Sequence, residues 1–338
     1  MKMRQKASLL MVLAALILAP HPLFATDDPG PGVYLRLIET APLPLLDVAD
    51  RIEASLTSLG WVVAATLDCG VDPEACAFGS RVIVAHHSTY TDRILAYGPH
   101  AAFAAPVRFA VYEDEGGVHV AATNPLNLNR TIIDEESAPE DWLWAEGMIL
   151  DVARVAFPDH VAPAHFGQRR EKARIGRTFG IMAGGKFTDK IKTVSTLPAE
   201  GVSTRMIAEL LESQIESLDG DWDWGLRPVY VMDLPTHSVT VLGLSAGSVE
   251  AKAFQIVGSG GDDARRDMAC PGLDHAAAFP IEVVVTEVDG TIEVSIVEEM
   301  YRMKMYFEDA GKMAFAKNMR MPGSIEDEIK DKIRAILN

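Results

Sequence analysis

The feature that most restricts this chain is a hairpin written twice. At an offset of 174, PVRFAVYEDEGGVHVAA (Pro106–Ala122) falls without a gap on PIEVVVTEVDGTIEVSI (Pro280–Ile296). Each copy has two alternating, β-branched runs around a glycine turn, with Gly116 on Gly290, which is how a β-hairpin is encoded. The same offset sets RVIVAHH (81–87) on QIVGSGG (255–261), both read as a strand entering a loop, and Gly98 on Gly272. Upstream the offset is 159, where Val48, Ile52, Leu56 and Leu59 fall on Ile207, Leu211, Ile215 and Leu218 at the spacing of one apolar helix face. The 15-residue difference between the offsets predicts an insertion in the second copy between Trp222 and Gln255.

A strand pattern precedes each helix (VYLRLIE from Val33, IKTVSTL from Ile191), and a helix closes each unit at 142–157 and 324–337. The predicted unit is strand, helix, strand, strand, short helix, hairpin, helix. Amphipathic helices need an apolar face, which alternating strands supply. The expected fold class is therefore α+β, as two tandem copies of a small antiparallel-rich sheet covered by helices. The first repeat is placed at 33–157, a basic linker at 158–190, and the second repeat, with a methionine-rich segment, at 191–338. Two such sheets packed on each other would form a pseudo-twofold dimer within one chain.

With 338 residues, 48% of them hydrophobic, the chain can bury the cores of two domains. It carries 31 Lys+Arg against 48 Asp+Glu, a formal charge of −17, which argues against a nucleic-acid partner. Residues 1–25 read as a signal peptide: Lys2, Arg4 and Lys6, an apolar run from Ala7 to Ala19, then Pro20 and a small residue at Ala25. Cleavage there removes three positive charges and no acids, taking −17 to −20. No later run approaches the ~18 apolar residues of a membrane span, so the mature chain is expected in the periplasm or secreted. In an oxidising compartment Cys69 and Cys76, in LDCGVDPEAC, are expected to close a small disulfide loop, leaving Cys270 as a buried small hydrophobe. There is no CxxC, so dithiol exchange and covalent c-type haem are not expected.

The segments GWVVAATLD, SRVIVAHHSTYTDRILAYGPHAAFAAPVRFAVYEDEGGVHVAATNP and the stretch from Ala251 to Leu337 resemble the domain of unknown function 302 family. The shared pattern is a strand ending in a small or polar loop, a helix, a proline, a valine-rich hairpin with an acidic turn, and a closing helix. The resemblance implies small α+β domains that pair, with no established activity. His86–His87 and Gly260–Gly261 depart from the Asn-Pro type of loop that members often carry.

Six of the fourteen methionines lie between Glu299 and Gly323: Met300, Met303, Met305, Met313, Met319 and Met321. Thioether sulfur is soft and needs no deprotonation, so it suits Cu(I) where thiols are lost to oxidation. Met300, Met303, Met305, Met319 and Met321 are the expected metal ligands. Tyr301, Tyr306, Phe307 and Phe315 are the expected walls of an apolar small-molecule site, or of core that the methionines merely fill. GLSAG (243–247) fits the GxSxG elbow of a serine hydrolase, but the following SVEAKAFQIV is read as running into a strand, so Ser245 is expected at a glycine-rich hairpin tip. GIMAGGKF (180–187) lacks the Ser or Thr of a phosphate loop. The histidines do not cluster and are expected at surfaces and caps. The basic run RREKARIGR (169–177) is a solvated connector or a partner dock. The expected function is an exported binding protein whose ligand is Cu(I) or an apolar small molecule. The alternatives are a hydrolase using Ser245 and a structural or redox-partner protein.

Overall fold

The computed structural model describes residues 30–70, 76–133, 139–170, 174–175, 184–260 and 269–338. The expected signal peptide lies outside the described residues. The first half runs β1 (Gly32–Ala41), α1 (Leu45–Ser58), β2 (Val62–Asp68), β3 (Ser80–His86), α2 (Ser88–Leu95), a 3-10 helix (Pro99–Ala104), β4 (Val107–Asp114), β5 (Gly117–Thr123), α3 (Pro125–Ile133), α4 (Pro139–Ala156) and β6 (Val161–Arg169). The second runs β7 (Ile191–Pro198), α5 (Thr204–Ser217), β8 (Arg227–Leu234), β9 (Val239–Ser245), α6 (Gly247–Gly260), a 3-10 helix (Leu273–Ala278), β10 (Ile281–Val288), β11 (Thr291–Val297), α7 (Glu299–Phe307), α8 (Lys312–Lys317) and α9 (Arg320–Leu337).

Both sheets are antiparallel, as the α+β reading expects. Their strand orders are β2-β3-β4-β5-β1-β6 and β7-β11-β10-β9-β8. Apart from β6 the two orders are the same, element for element. The second hairpin turns through Asp289 and Gly290, at φ 50° and 75°, the left-handed pair that a two-residue turn needs to match strand twist. Helices α1 and α5 bury the faces their sequences offer, Val48, Ile52 and Leu56 in one and Ile207, Leu211 and Ile215 in the other.

Each sheet is also covered on its other face. The 3-10 helix at Leu273–Ala278 packs on β3, β4 and β5, and its counterpart at Pro99–Ala104 packs on β9 and β10. This reciprocal insertion buries the central strands on both faces, which is why IEVVVT of β10 is apolar almost throughout rather than alternating. No helix among the described residues is long and apolar enough to cross a membrane.

Three expectations are corrected. The counterpart of β3 is β9, shifted by 159 residues, while Gln255–Gly260 belongs to helix α6. A short apolar run does not by itself distinguish strand from buried helix, and QIVGSG was such a run. The extra residues of the second half therefore fall between the start of α6 at Gly247 and the 3-10 helix at Leu273, not between Trp222 and the start of α6. The segment read as a linker contributes β6, paired along β1. Arg170 within it is buried: Nη1 donates to Asn127 Oδ1 (3.2 Å) and Met305 O (3.1 Å), and Nη2 to Lys304 O (2.7 Å). It clamps the C-terminal carbonyls of α7, where a cation is favoured, and is not free to dock a partner.

The third correction is the disulfide. Cys76 is bonded to Cys270, 194 residues away, with Cα atoms 5.6 Å apart, and Cys69 is a buried free thiol. Short spacing shows only that a loop can close; side-chain direction decides the partner. The Cys69 N–H is tied to Ser80 O at 2.9 Å and its thiol engages Glu250. Burial, and then the Glu250 charge, push that thiol well above its ordinary pKa, which keeps it protonated.

Candidate functional site

The methionine-rich segment is not a hairpin end but three consecutive helices, α7 to α9, on the second sheet. Met300 and Met303 are three residues apart on α7 and share a side of it; Met305, two further on, falls on the other side. Met319 precedes α9 and folds back to them. Met300, Met303 and Met319 line one cavity of about 10 Å3 with Ile256 of α6, Asn318 and Pro322. Asn318 Nδ2 donates to Ala314 O at 2.9 Å, which leaves its Oδ1 as a further oxygen donor of the lining. The end of α6 can approach this cap because Gly260 has no side chain; a Cβ there would overlap the Ala310 carbonyl oxygen.

The other two expected ligands, Met305 and Met321, separate from this group, as does Met313 of the same segment. Met305 is buried on the far side of α7, Met321 is buried in the first turn of α9, and Met313 stands 69% exposed. Met319, at 43% exposure, connects the cavity with an open cleft of about 480 Å3, whose walls include Met321 and Trp224. Trp224 is fixed there by its N–H on Glu328 Oε2 (2.8 Å) and its indole Nε1 on Ser324 Oγ (2.9 Å).

The expected aromatic walls do not face this cavity. Tyr301, Tyr306 and Phe307 are buried toward the first half; the side chain of Phe315 lies outside the described residues. Tyr301 OH donates to Gly185 O at 3.2 Å. Tyr34 OH of β1 donates to Tyr306 O at 3.1 Å, and the Phe307 ring stacks on His275 with centroids 5.8 Å apart.

Sequence reasoning missed the seam these aromatics enclose. Arg108 of β4 pairs with Glu282 of β10 through a short Nη1–Oε1 contact, and both are buried. The two residues hold equivalent places in the two sheets, 174 apart, just after Pro106 and Pro280. A residue meets its own counterpart only near a twofold axis. Arg108 Nη2 donates to the Tyr306 hydroxyl, and its guanidinium lies 5.0 Å from that ring. The guanidinium of Arg302 on α7 lies 5.1 Å from the same Tyr306 ring, and Arg302 reaches Glu282 (3.6 Å) and Glu299 (3.4 Å). Burial pushes the Glu299 carboxyl up to about 7, against the pull of Arg302 and with help from Glu326. A signal for this pair was present: one charged residue at the start of each hairpin's first strand, Arg108 in VRFAVY and Glu282 in IEVVVT, of opposite sign.

His275 completes the seam. Its ring contacts Asp274 Oδ1 (2.7 Å) on one side and Asp309 (3.0 Å) on the other. Burial alone would lower its pKa, but the charges of Asp309 and Asp274 and their hydrogen bonds override that and raise it to about 9. His87, by contrast, caps α2, its Nδ1 accepting the Thr89 N–H at 3.2 Å.

GLSAG does lie on a strand-to-helix turn, because helix α6 begins at Gly247 where a strand was expected. Ser245 ends β9, is buried, and donates to Glu250 Oε1 one turn along α6. Glu250 Oε2 accepts the Gly70 N–H of the first half at 3.1 Å. The serine thus orients a buried carboxylate that ties the halves together. Among the described residues no histidine is bonded to it; His275 is committed to its two aspartates.

Two antiparallel sheets of the same order, helices outside and a polar seam between, define a paired α+β scaffold held in one chain. In its first half, residues 38–147 match the family model described as Domain of unknown function DUF302. An uncharacterized conserved protein DUF302 from Bacillus stearothermophilus, known as a crystal structure, is similar at 13% identity with a TM-score of 0.31, covering 37% of this chain and 98% of that one. No curated protein matches the chain.

Proposed function

We propose that this is an exported Cu(I)-binding protein, that its second half is a further copy of the same domain, and that the metal is held by Met300, Met303 and Met319. The observation that carries the reading is the convergence of these three thioethers, from two helical segments, on one cavity of about 10 Å3. That space accepts one water-sized body and no organic molecule, so size favours a bare ion over an apolar ligand. Three neutral sulfurs with no charged ligand beside them, and Asn318 the polar side chain of the lining, favour a soft monovalent ion over Zn²⁺, Mg²⁺ or Ca²⁺. Among the described residues, no group of three or more His, Cys, Asp or Glu could hold a metal instead. Met319 at the cleft offers the way in, and sulfur ligands that need no deprotonation suit an oxidising compartment.

The test is anaerobic titration of the purified protein with Cu(I) against a chromogenic chelator. One equivalent should be withheld from the chelator, Met303→Leu and Met319→Leu should each weaken retention at least tenfold, and Met305→Leu should leave it unchanged. Failure to withhold copper, or equal retention by Met303→Leu, overturns the reading. Sequencing the N-terminus of the exported form should begin after Ala25.

A further inference from the structure

The methionine cavity and the open cleft of about 480 Å3 beside it share two walls, Asn318 and Met319, so the cleft is the mouth through which the cavity is reached. Its charge has the opposite sign to the rest of the chain. Lys317 and Arg320 line the cleft, both are exposed, and no acidic side chain is among its walls. Neither cation has an ion pair or a hydrogen bond among the described residues. Asp223, next to Trp224 in sequence, is exposed but does not line the cleft. In a chain with 48 Asp+Glu against 31 Lys+Arg, two unpaired cations meet at this opening.

A positive mouth is the wrong sign for a bare Cu(I) ion, which both side chains repel as it approaches. It is the right sign for copper that arrives inside an anion. An exported compartment is oxidising and poor in free thiols, which leaves chloride as an abundant ligand, and Cu(I) in chloride solution is dichlorocuprate(I), CuCl2−, a small linear anion. The cleft has room for that ion, whereas the cavity of about 10 Å3 holds only one water-sized body, so the chlorides are left outside it. The exchange balances. Three Cu–thioether bonds form, two Cu–Cl bonds break, two chloride ions return to solvent, and the metal stays Cu(I) throughout.

We propose that Lys317 and Arg320 form a steering mouth that admits Cu(I) as an anionic chloride complex and delivers it to Met319. The inference rests on the copper reading of the methionine cavity and adds the species that loads it. Met319, on both the cleft and the cavity, is the first thioether the complex meets; it displaces a chloride and passes the metal inward to Met300 and Met303. A cleft lined by one sign of charge raises the arrival rate of ions of the other sign by about 10–10³-fold, and salt screens the effect.

Two Cu(I) sources of opposite charge test this: CuCl2− in sodium chloride, and the acetonitrile complex, a cation, in sodium perchlorate at the same ionic strength. Uptake by the purified protein is followed anaerobically by rapid mixing, with the chromogenic chelator added at set delays. Lys317→Glu combined with Arg320→Glu should slow uptake from chloride and quicken it from acetonitrile, so that the ratio of the two rates falls at least about tenfold. Lys317→Gln with Arg320→Gln should move the ratio the same way by a smaller factor. The copper finally withheld should not fall in either variant, because removing nearby positive charge does not weaken the hold on a cation. A ratio unchanged within about twofold, or rates from both sources that move in the same direction, overturns the inference and leaves the copper reading standing. A native protein that withholds no copper overturns both.

Discussion

Helices α3 and α7 hold the same place in the two halves, nine residues each and 174 apart, yet they do different chemistry. On α3, Asn127 donates to Pro31 O (2.7 Å) and Gln168 O (3.2 Å), and the Asn129 amide is hydrogen-bonded to the Tyr90 hydroxyl (3.0 Å) beside a small cavity of the seam. The α7 residue equivalent to Asn129 is Met303, which lines the thioether cavity instead. Equivalent to Leu128 and Ile132 are Arg302 and Tyr306, which reach back into the seam around Arg108. One backbone position thus serves a polar junction in the first half and a soft, outward pocket in the second. Two halves can share a strand order while their helix faces differ, because strand pairing depends on backbone and periodicity and a pocket depends on single side chains.

The comparison is broken most severely at the residues the halves share. Glu282→Ala should destabilise the protein by about 3–5 kcal/mol in denaturant unfolding, because it leaves Arg108 buried without its counter-charge. Replacing both by apolar residues of similar size, Arg108→Met with Glu282→Leu, should cost much less. If the single and double variants lose the same stability, the pair is not coupled and the seam is not organised around it.

Next in size is the covalent tie. Cys270→Ser should cost about 2–4 kcal/mol, whereas Cys69→Ser should leave the Cys76–Cys270 bridge intact. Peptide mapping of unreduced protein should join the fragments containing Cys76 and Cys270; a Cys69–Cys76 fragment would restore the short loop that spacing suggests.

A smaller, pH-dependent effect sharpens the comparison at His275. Unfolded, an imidazole titrates near 6.5; between Asp274 and Asp309 it titrates at about 9. A raised folded pKa gives stabilisation that is complete below about 6.5 and is lost as pH rises through about 9. Unfolding free energy should fall over that interval in the native protein, and His275→Gln should flatten the fall while lowering stability at pH 6. A native profile that stays level from pH 7 to 10 would remove the charged histidine from the seam.

Much of the fold was readable before any coordinates. The hairpin pair at 174, the helix faces at 159 and the antiparallel α+β class all follow from periodicity, which encodes secondary structure directly. The register failed where periodicity is weak: QIVGSG suits a strand or a buried helix, and only its packing against Ala310 and Pro271 selects the helix. For the site, composition located the methionines, but helix geometry kept Met300, Met303 and Met319 together and sent Met305 and Met321 elsewhere. The same geometry carried Tyr306 and Phe307 inward.

The amino-acid order alone determined two similar sheet-and-helix units, their turns and the helix faces that cover them, because those depend on neighbours a few residues apart. Tertiary structure decided which cysteine bonds Cys76, and that Arg108 meets Glu282 and the Tyr306 hydroxyl. These pairings join residues 170 to 200 positions apart, and no local pattern constrains the direction of a side chain across a seam that exists only once the two halves have packed.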